Sequence, residues 1–241
     1  MYRHMALFAG LGGFVLAAKR TGIETVFINE MDEACCLTLN HNFPQSTVFM
    51  KDVREVHPAD FPELNAPIDI LSAGFPCQSF SVAGDNLGFD DERGKLFFEI
   101  PRICAELSTP PKVLLLENVP NLKLFDGGAR LRVVINELRK AGYWVNVNNA
   151  QIMDSYEIGD TAQRRERLFI VATHSKYFKK NKFVFPSAKK EKKNLWKYVN
   201  KEAKHEPRLY LDEENKYARM IRRNAELDGA CLLYTSDAAD D

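Results

Sequence analysis

Cys77 lies in the run Gly74-Phe75-Pro76-Cys77-Gln78. A cysteine that follows proline, on a loop leaving an apolar strand, is held exposed and rigid, as a thiolate nucleophile must be. Its flanks lack the apolar pattern that would bury it, whereas Cys35, Cys36 and Cys104 sit in such patterns and read as inert buried thiols. Glu117 ends the run Val113-Leu114-Leu115-Leu116, apolar enough for a central strand, and a carboxylate at such a strand end is either paired or functional. In Gln163-Arg164-Arg165-Glu166-Arg167, an extended backbone sends Arg165 and Arg167 to one side. Two guanidinium groups so placed suit phosphate or base oxygens, although a surface ladder with Glu166 reads the same residues equally well. The fourth feature is a turn, Gly10-Leu11-Gly12-Gly13, with Glu30 at the spacing of about 20 residues at which an acid can hold ribose hydroxyls. Phe8 could offer a face to an adenine ring. A nicotinamide or flavin cofactor satisfies this turn as well.

These residues need a frame. Residues 5–9 read as a short buried strand, 14–21 as a helix stopped by Gly22, and 24–29 as a second strand ending on Glu30. Asp32 is a helix N-cap for a segment running to Asn42 and closed by Pro44, with a weaker strand over 46–49. Residues 68–73 form an apolar strand, 79–91 a polar loop, and 92–107 a helix that Pro101 should bend or split. Strands are expected over 112–116, 143–147 and 168–173, and an amphipathic helix over 131–141 before Gly142. Strands alternating with helices at this spacing give an α/β fold: a mostly parallel sheet with helices on both faces. Ligands in such sheets sit beyond the carboxyl ends of the strands, a rule that collects 10–13, Glu30, 74–81 and 117–119 in one place.

Composition narrows the class. The 241 residues are 45% hydrophobic and 27% charged, enough for a substantial core. Lys+Arg and Asp+Glu are equal at 33 each, but unevenly spread. Residues 1–175 carry a balance of −5, residues 176–204 one of +9 from 11 lysines, and residues 205–241 one of −4. One basic flank on a neutral chain suits a polyanion gripped locally, or is a solvated surface segment. Five cysteines without C-x-x-C spacing indicate neither a disulfide framework nor a zinc site, and fit reduced thiols in a cytoplasm. Arg3 and His4 ahead of an apolar run imitate a signal peptide, but Gly10, Gly12 and Gly13 interrupt it. No apolar stretch reaches the roughly 18–20 residues that span a bilayer.

Taken together, Phe8-Ala9-Gly10-Leu11-Gly12-Gly13-Phe14, Gly74 through Ser81, Arg93-Gly94-Lys95-Leu96-Phe97-Phe98, Glu117-Asn118-Val119 and Gln163 through Arg167 resemble the DNA cytosine-5 methyltransferases in order and spacing, over about residues 5–175. The resemblance implies a Rossmann-like sheet that binds S-adenosylmethionine at the glycine turn (Gly10, Gly12, Gly13). Phe8 and Met31 would lie at the cofactor, Glu30 on its ribose, Asp52 and Val53 at the adenine, and Pro76 and Leu96 along the same pocket. It further implies that Cys77 adds to C6 of cytosine, that Glu117 hydrogen-bonds N3, and that Arg167 lies near O2 while Arg165 helps position the nucleophile. Gln78, Ser81 and Gln163 would lie on the substrate side, and Asn118 would brace the cysteine loop. The target base must leave the duplex, and the polar loop from Gln78 to Asp91 is the segment expected to close over it.

The chain departs from the family at Ala6, where an acidic residue is frequent, and at Ala162, where proline is common. The C-terminal strand and helix that complete the cofactor site in relatives are missing, so a truncated chain is expected. Its parts would be a catalytic domain (1–175), a Lys-rich connector with the start of a target-recognition region (176–228), and a non-native tail (229–241). The implied activity is methylation of cytosine C5 in double-stranded DNA by a cytoplasmic monomer, with neither metal nor membrane. It would act as the modification enzyme of a restriction–modification system whose endonuclease is linked functionally, not by necessary contact. The alternatives are methylation of tRNA cytosine, a nucleotide-dependent oxidoreductase using the same turn, and a non-catalytic remnant that binds cofactor or DNA.

Overall fold

β-Branched and aromatic runs become the strands β1 (Arg3–Leu7), β2 (Glu24–Glu30), β3 (Thr47–Met50), β4 (Ile70–Gly74) and β5 (Val113–Asn118). All of this is taken from a computed structural model, which describes residues 1–76, 95–159, 161 and 163–187. The chain divides into a first unit, Met1–Met153 with Glu166–Phe185, and a second, Asp154–Arg165 with Pro186–Asp241. In the first unit β3, β2, β1, β4 and β5 pair in that order, all parallel. The antiparallel β8 (Glu166–His174) follows, flanked by β6 (Tyr143–Trp144) and paired also with β7 (Ala150–Asp154). The chain builds outward from β1 to β3 and then restarts on the other side of β1 with β4. Such a reversal opens a crevice at the carboxyl ends of the two strands.

Helices cover both faces. Ala6 and Ile28 meet Val15 of α1 (Gly13–Arg20) and Leu39 of α2 (Glu33–Asn42) in a core on one side. Met5, Leu7, Leu71 and Leu114 alternate to the other side, where α3 (Glu99–Glu106) adds Ile100 and Ile103 and the helix over Ala129–Lys140 adds Val134 and Leu138. Asp32 caps α2 by accepting the Cys35 N–H at 2.8 Å, and that bond lowers its carboxyl pKa. Lys19 and Arg20 close the last turn of α1, where cations favour the exposed carbonyls. On the α1–α2 side, His4 joins three strands. Nδ1 lies 2.8 Å from Thr25 Oγ1 of β2 and Nε2 2.7 Å from Ser72 Oγ of β4. Burial drives its pKa down to about 4.

Several boundaries differ from the sequence expectation. β5 runs on through Asn118 because β8 pairs Glu117 with Phe169 and Asn118 with Leu168, and β8 itself starts at Glu166. The strand expected over 143–147 has two residues, since Asn146 opens a capping box: its Oδ1 accepts the Asn148 N–H at 2.8 Å and its N–H donates to Asn149 Oδ1 at 3.0 Å. β7 was not expected. Pro101 splits its segment into a 3₁₀ turn, Leu96–Phe98, and α3, sitting in the first helical turn where its missing N–H costs no helical bond. Among the described residues no helix is long and apolar enough to cross a membrane.

In the second unit, Asp154 organises the turn that carries the arginine run. Its Oδ1 accepts the Tyr156 N–H at 2.9 Å and the Arg165 N–H at 3.0 Å, and its Oδ2 takes Arg164 Nη1 at 3.1 Å. Ser155 Oγ donates to the Gln163 carbonyl at 2.8 Å. Arg164, also stacked 4.7 Å over Tyr156, therefore serves the turn itself.

Candidate functional site

A cavity of about 300 Å³ opens at the carboxyl ends of β1 to β4, at the low end of volumes common for small-molecule sites. β1 contributes Phe8 and Gly10; β2 contributes Asn29, Glu30 and Met31. Lys51, Asp52 and Val53 follow β3, Gly74 and Pro76 close β4, and Leu96 completes the wall. Eight of the ten residues expected at a cofactor thus line one cavity. Gly12 and Gly13 do not. Gly12 has φ +88° and no room for a side chain, a Cβ there meeting Leu39 Cδ2 at 2.8 Å, so its task is to seat α1 on α2. Gly13 is the first residue of α1.

Glu30 is held by the backbone around it. Oε2 accepts the Gly10 N–H at 2.7 Å, and Oε1 accepts those of Met31 and Asp32 at 2.8 and 3.0 Å. A carboxylate offers about four lone-pair sites, so one remains for a ligand hydroxyl. Asp52 is more fully engaged. Arg54 grips both its oxygens, Nε to Oδ1 at 3.0 Å and Nη2 to Oδ2 at 2.8 Å, and that pairing holds its pKa below the usual carboxylate range. The walls are otherwise apolar, from Phe8, Met31, Val53, Pro76 and Leu96. With Asp52 paired to Arg54 and Lys51 to Glu55, Glu30 supplies the remaining charge at the cavity, which suits an uncharged or cationic ligand with hydroxyls and disfavours a pyrophosphate.

Beside this cavity stands the second element of the site. Arg167 Nε is 3.0 Å from Glu117 Oε1, with both side chains largely buried. Glu117 lies opposite Gly74 in register, and a Cβ on Gly74 would come within 3.2 Å of Glu117 Oε2. Any larger residue at 74 would press on that carboxylate and require it to shift by a few tenths of an ångström. Asn118, buried on the opposite face of β5, donates from Nδ2 to the Phe75 carbonyl at 3.1 Å and accepts the Val119 N–H at 2.9 Å. Phe75 packs on Phe97 with ring centroids 5.3 Å apart. The chain entering residue 77 is therefore fixed through Pro76. Replacing Asn118 with alanine leaves a buried carbonyl and N–H unmatched, and should lower unfolding free energy by about 2 kcal/mol, read from urea denaturation.

Cys77, Gln78 and Ser81 lie outside the described residues, as does the loop expected to close over the base. Gln163 and Arg165 belong to the second unit, where they shape the Asp154 turn. Sequence reasoning missed Asn29, Lys51 and Arg54. The signal for Asn29 was a polar side chain inside an otherwise buried strand, 1% exposed. Among the described residues no group of three or more His, Cys, Asp or Glu could hold a metal ion.

Comparison with known proteins bears on this arrangement. The chain is 39% identical over 186 residues to the type II methyltransferase M.PspPI of Psychrobacter sp. strain TA137, covering 77% of this chain and 43% of that protein. It is 36% identical over 227 residues to the type II methyltransferase M.Eco47II of Escherichia coli, covering 94% and 52%. It thus spans about half the length of the curated relatives it matches. The Entamoeba histolytica methyltransferase EhMeth shares the fold at a TM-score of 0.67 and 20% identity, over 85% of this chain and 61% of that one. Residues 2–231 match the C-5 cytosine-specific DNA methylase family, and the chain belongs to it.

Proposed function

We propose that this chain is the catalytic part of an enzyme that methylates C5 of cytosine in double-stranded DNA, taking the methyl group from S-adenosylmethionine. The observation that carries this reading is the Glu117–Arg167 pair, set against Gly74 at the strand ends that also line the cavity. The cavity's chemistry fits the cofactor: Glu30 has a lone pair left for a ribose hydroxyl, Phe8 and Val53 give apolar faces for adenine, and the carboxylates suit a sulfonium cation. When bound, S-adenosylmethionine supplies an electrophilic methyl group.

The protein's own work is to make cytosine C5 a nucleophile. The Cys77 thiolate adds to C6, forming an S–C6 bond and moving the C5–C6 π pair into an enamine. Glu117 shares a proton with N3, offsetting the negative charge that addition places on the ring. Arg167 holds Glu117 and donates toward O2, and Asn118 keeps the Phe75–Pro76 backbone, and with it the approach of Cys77, in place. After C5 is methylated its proton leaves, the C5–C6 double bond re-forms and the thiolate is expelled. Drawing the base from the duplex costs a few kcal/mol, to be recovered from contacts in the pocket. Relatives carrying the name type II methyltransferase support the further reading that the enzyme pairs functionally with a restriction endonuclease.

The test is a covalent trap. A C-terminally completed chain is incubated with S-adenosylmethionine and duplex DNA, or tRNA, carrying 5-fluorocytosine. Fluorine cannot leave C5 as a proton does, so a DNA-linked species resistant to denaturation is expected, and Cys77→Ser should abolish it. Trapping on tRNA alone would replace the substrate, and equal behaviour of wild type and variant would overturn the mechanism.

A further inference from the structure

Asn29 occupies the cavity without a part in the chemistry above. It is 1% exposed, at the carboxyl end of β2, and ties together three of the four strand ends that form the cavity. Its backbone carbonyl accepts the Ala9 N–H at 3.1 Å, just past β1. Its side-chain Nδ2 donates to the Phe49 carbonyl at 3.3 Å and to the Lys51 carbonyl at 2.8 Å, the first inside β3 and the second just beyond it. Because both partners are acceptors, only the amide NH₂ can face them, which fixes the orientation of the side chain.

The consequence lies one residue further along. Past Lys51 the chain turns sharply: Asp52 Oδ1 accepts the Arg54 N–H at 2.8 Å, and the Glu55 and Val56 N–H groups bond to the Asp52 and Val53 carbonyls at 2.9 and 3.0 Å. That turn carries Asp52 and Val53, while the residue after Asn29 is Glu30. β3 is an edge strand of four residues, and its ladder with β2 ends at the pair Glu30–Met50. The Asn29 amide is therefore what extends the β2–β3 connection past the end of the ladder.

We infer that Asn29 is a positioning residue for the cofactor: its amide clamps the Asp52–Val53 turn at a fixed distance from Glu30, so that ribose and adenine contacts can form together. This rests on the cofactor reading above and adds to it a residue that need not touch the ligand.

The experiment compares wild type with Asn29→Ala and Asn29→Leu, the second keeping side-chain volume without donors. Hydrogen exchange is followed without ligand, and S-adenosylmethionine binding by calorimetry. Exchange at the Arg54, Glu55 and Val56 amides should accelerate at least 10-fold more than at the β4 and β5 amides in both variants. S-adenosylmethionine affinity, measured where each variant is fully folded, should fall 10- to 100-fold, a local loss that the general destabilisation read at β4 and β5 does not produce. Unchanged exchange at 54–56 would overturn the clamp. Faster exchange with unaltered affinity would overturn its link to the cofactor. A wild-type chain that fails to bind S-adenosylmethionine would instead overturn the proposed function, and the exchange comparison would still decide the clamp.

Discussion

Gly12→Ala is expected to lower the free energy of unfolding by about 2–4 kcal/mol, and Gly13→Ala to leave it unchanged or raise it by up to about 1 kcal/mol. The two glycines are adjacent in sequence and separate in physics. Gly12 has φ +88°, and a Cβ there would meet Leu39 Cδ2 at 2.8 Å and Phe43 Cε2 at 2.9 Å. Leu39 is fully buried and has no solvent to move into, so relief of the clash falls to the Phe43 ring, which borders a surface cavity. Left-handed strain of about 1 kcal/mol adds to overpacking of about 1–3 kcal/mol. At Gly13, the first residue of α1, nothing lies within 4 Å of the added methyl, which replaces the poorer helix former. Urea denaturation of both variants decides the matter, and equal losses would show that the turn is seated otherwise than described.

The second large effect is acid sensitivity in the core. His4 has a folded pKa of about 4 against an ordinary 6.5, because burial penalises its charged form. The unfolded chain therefore takes up a proton between pH 6.5 and 4 that the folded chain resists. Stability from this group is intact above pH 6.5, falls as pH drops through that window, and is constant again below about 4. The gap corresponds to about 3 kcal/mol in total, of which about 2 kcal/mol is lost between pH 7 and pH 5. Asp32 and Asp52 have pKa values lowered below 3.8, so their contributions are lost only at more acid pH. Urea titrations at pH 7 and pH 5 should show the decline in wild type and a much flatter profile in His4→Gln. An equally steep variant would place the acid-sensitive group elsewhere.

Much of the sheet was legible because its strands are short, apolar and punctuated. The glycine after β1, the Asn29-Glu30 end of β2 and the polar end of β5 all mark carboxyl ends, and the parallel-sheet rule collects Gly10, Glu30, Gly74 and Pro76, which line one cavity, whereas Asp52 came only from the family resemblance. What sequence could not give depends on pairing and on backbone angles. β5 reaches Asn118 only because an antiparallel neighbour continues there, and β7, Ala-Gln-Ile-Met-Asp, has neither an apolar run nor β-branched enrichment to stand out. Gly12 and Gly13 look alike until φ separates a packing residue from a helix start. Phe8 sits at φ +52°, in a region that phenylalanine rarely occupies and no periodicity announces. Asn29 looked like the last letter of a strand, and its amide acquires meaning only once the Phe49 and Lys51 carbonyls are brought to it.

The direction of β8 has a consequence for chain routing. Running opposite to β5, it begins at Glu166, with Arg167 beside Glu117, and ends at His174, next to the start of β5. Residues 175–185 thus depart from the pole remote from Glu117, about 25 Å away at about 3.3 Å per extended residue. The path back has already begun: Asn181 Nδ2 donates to the Val171 carbonyl at 2.8 Å and to that of Trp144 at 3.1 Å, alongside the middle of β8. Residues 175–185 are therefore laid back along the strand they have just left, so the first unit ends with its chain folded against β8 instead of projecting from the pole of the sheet.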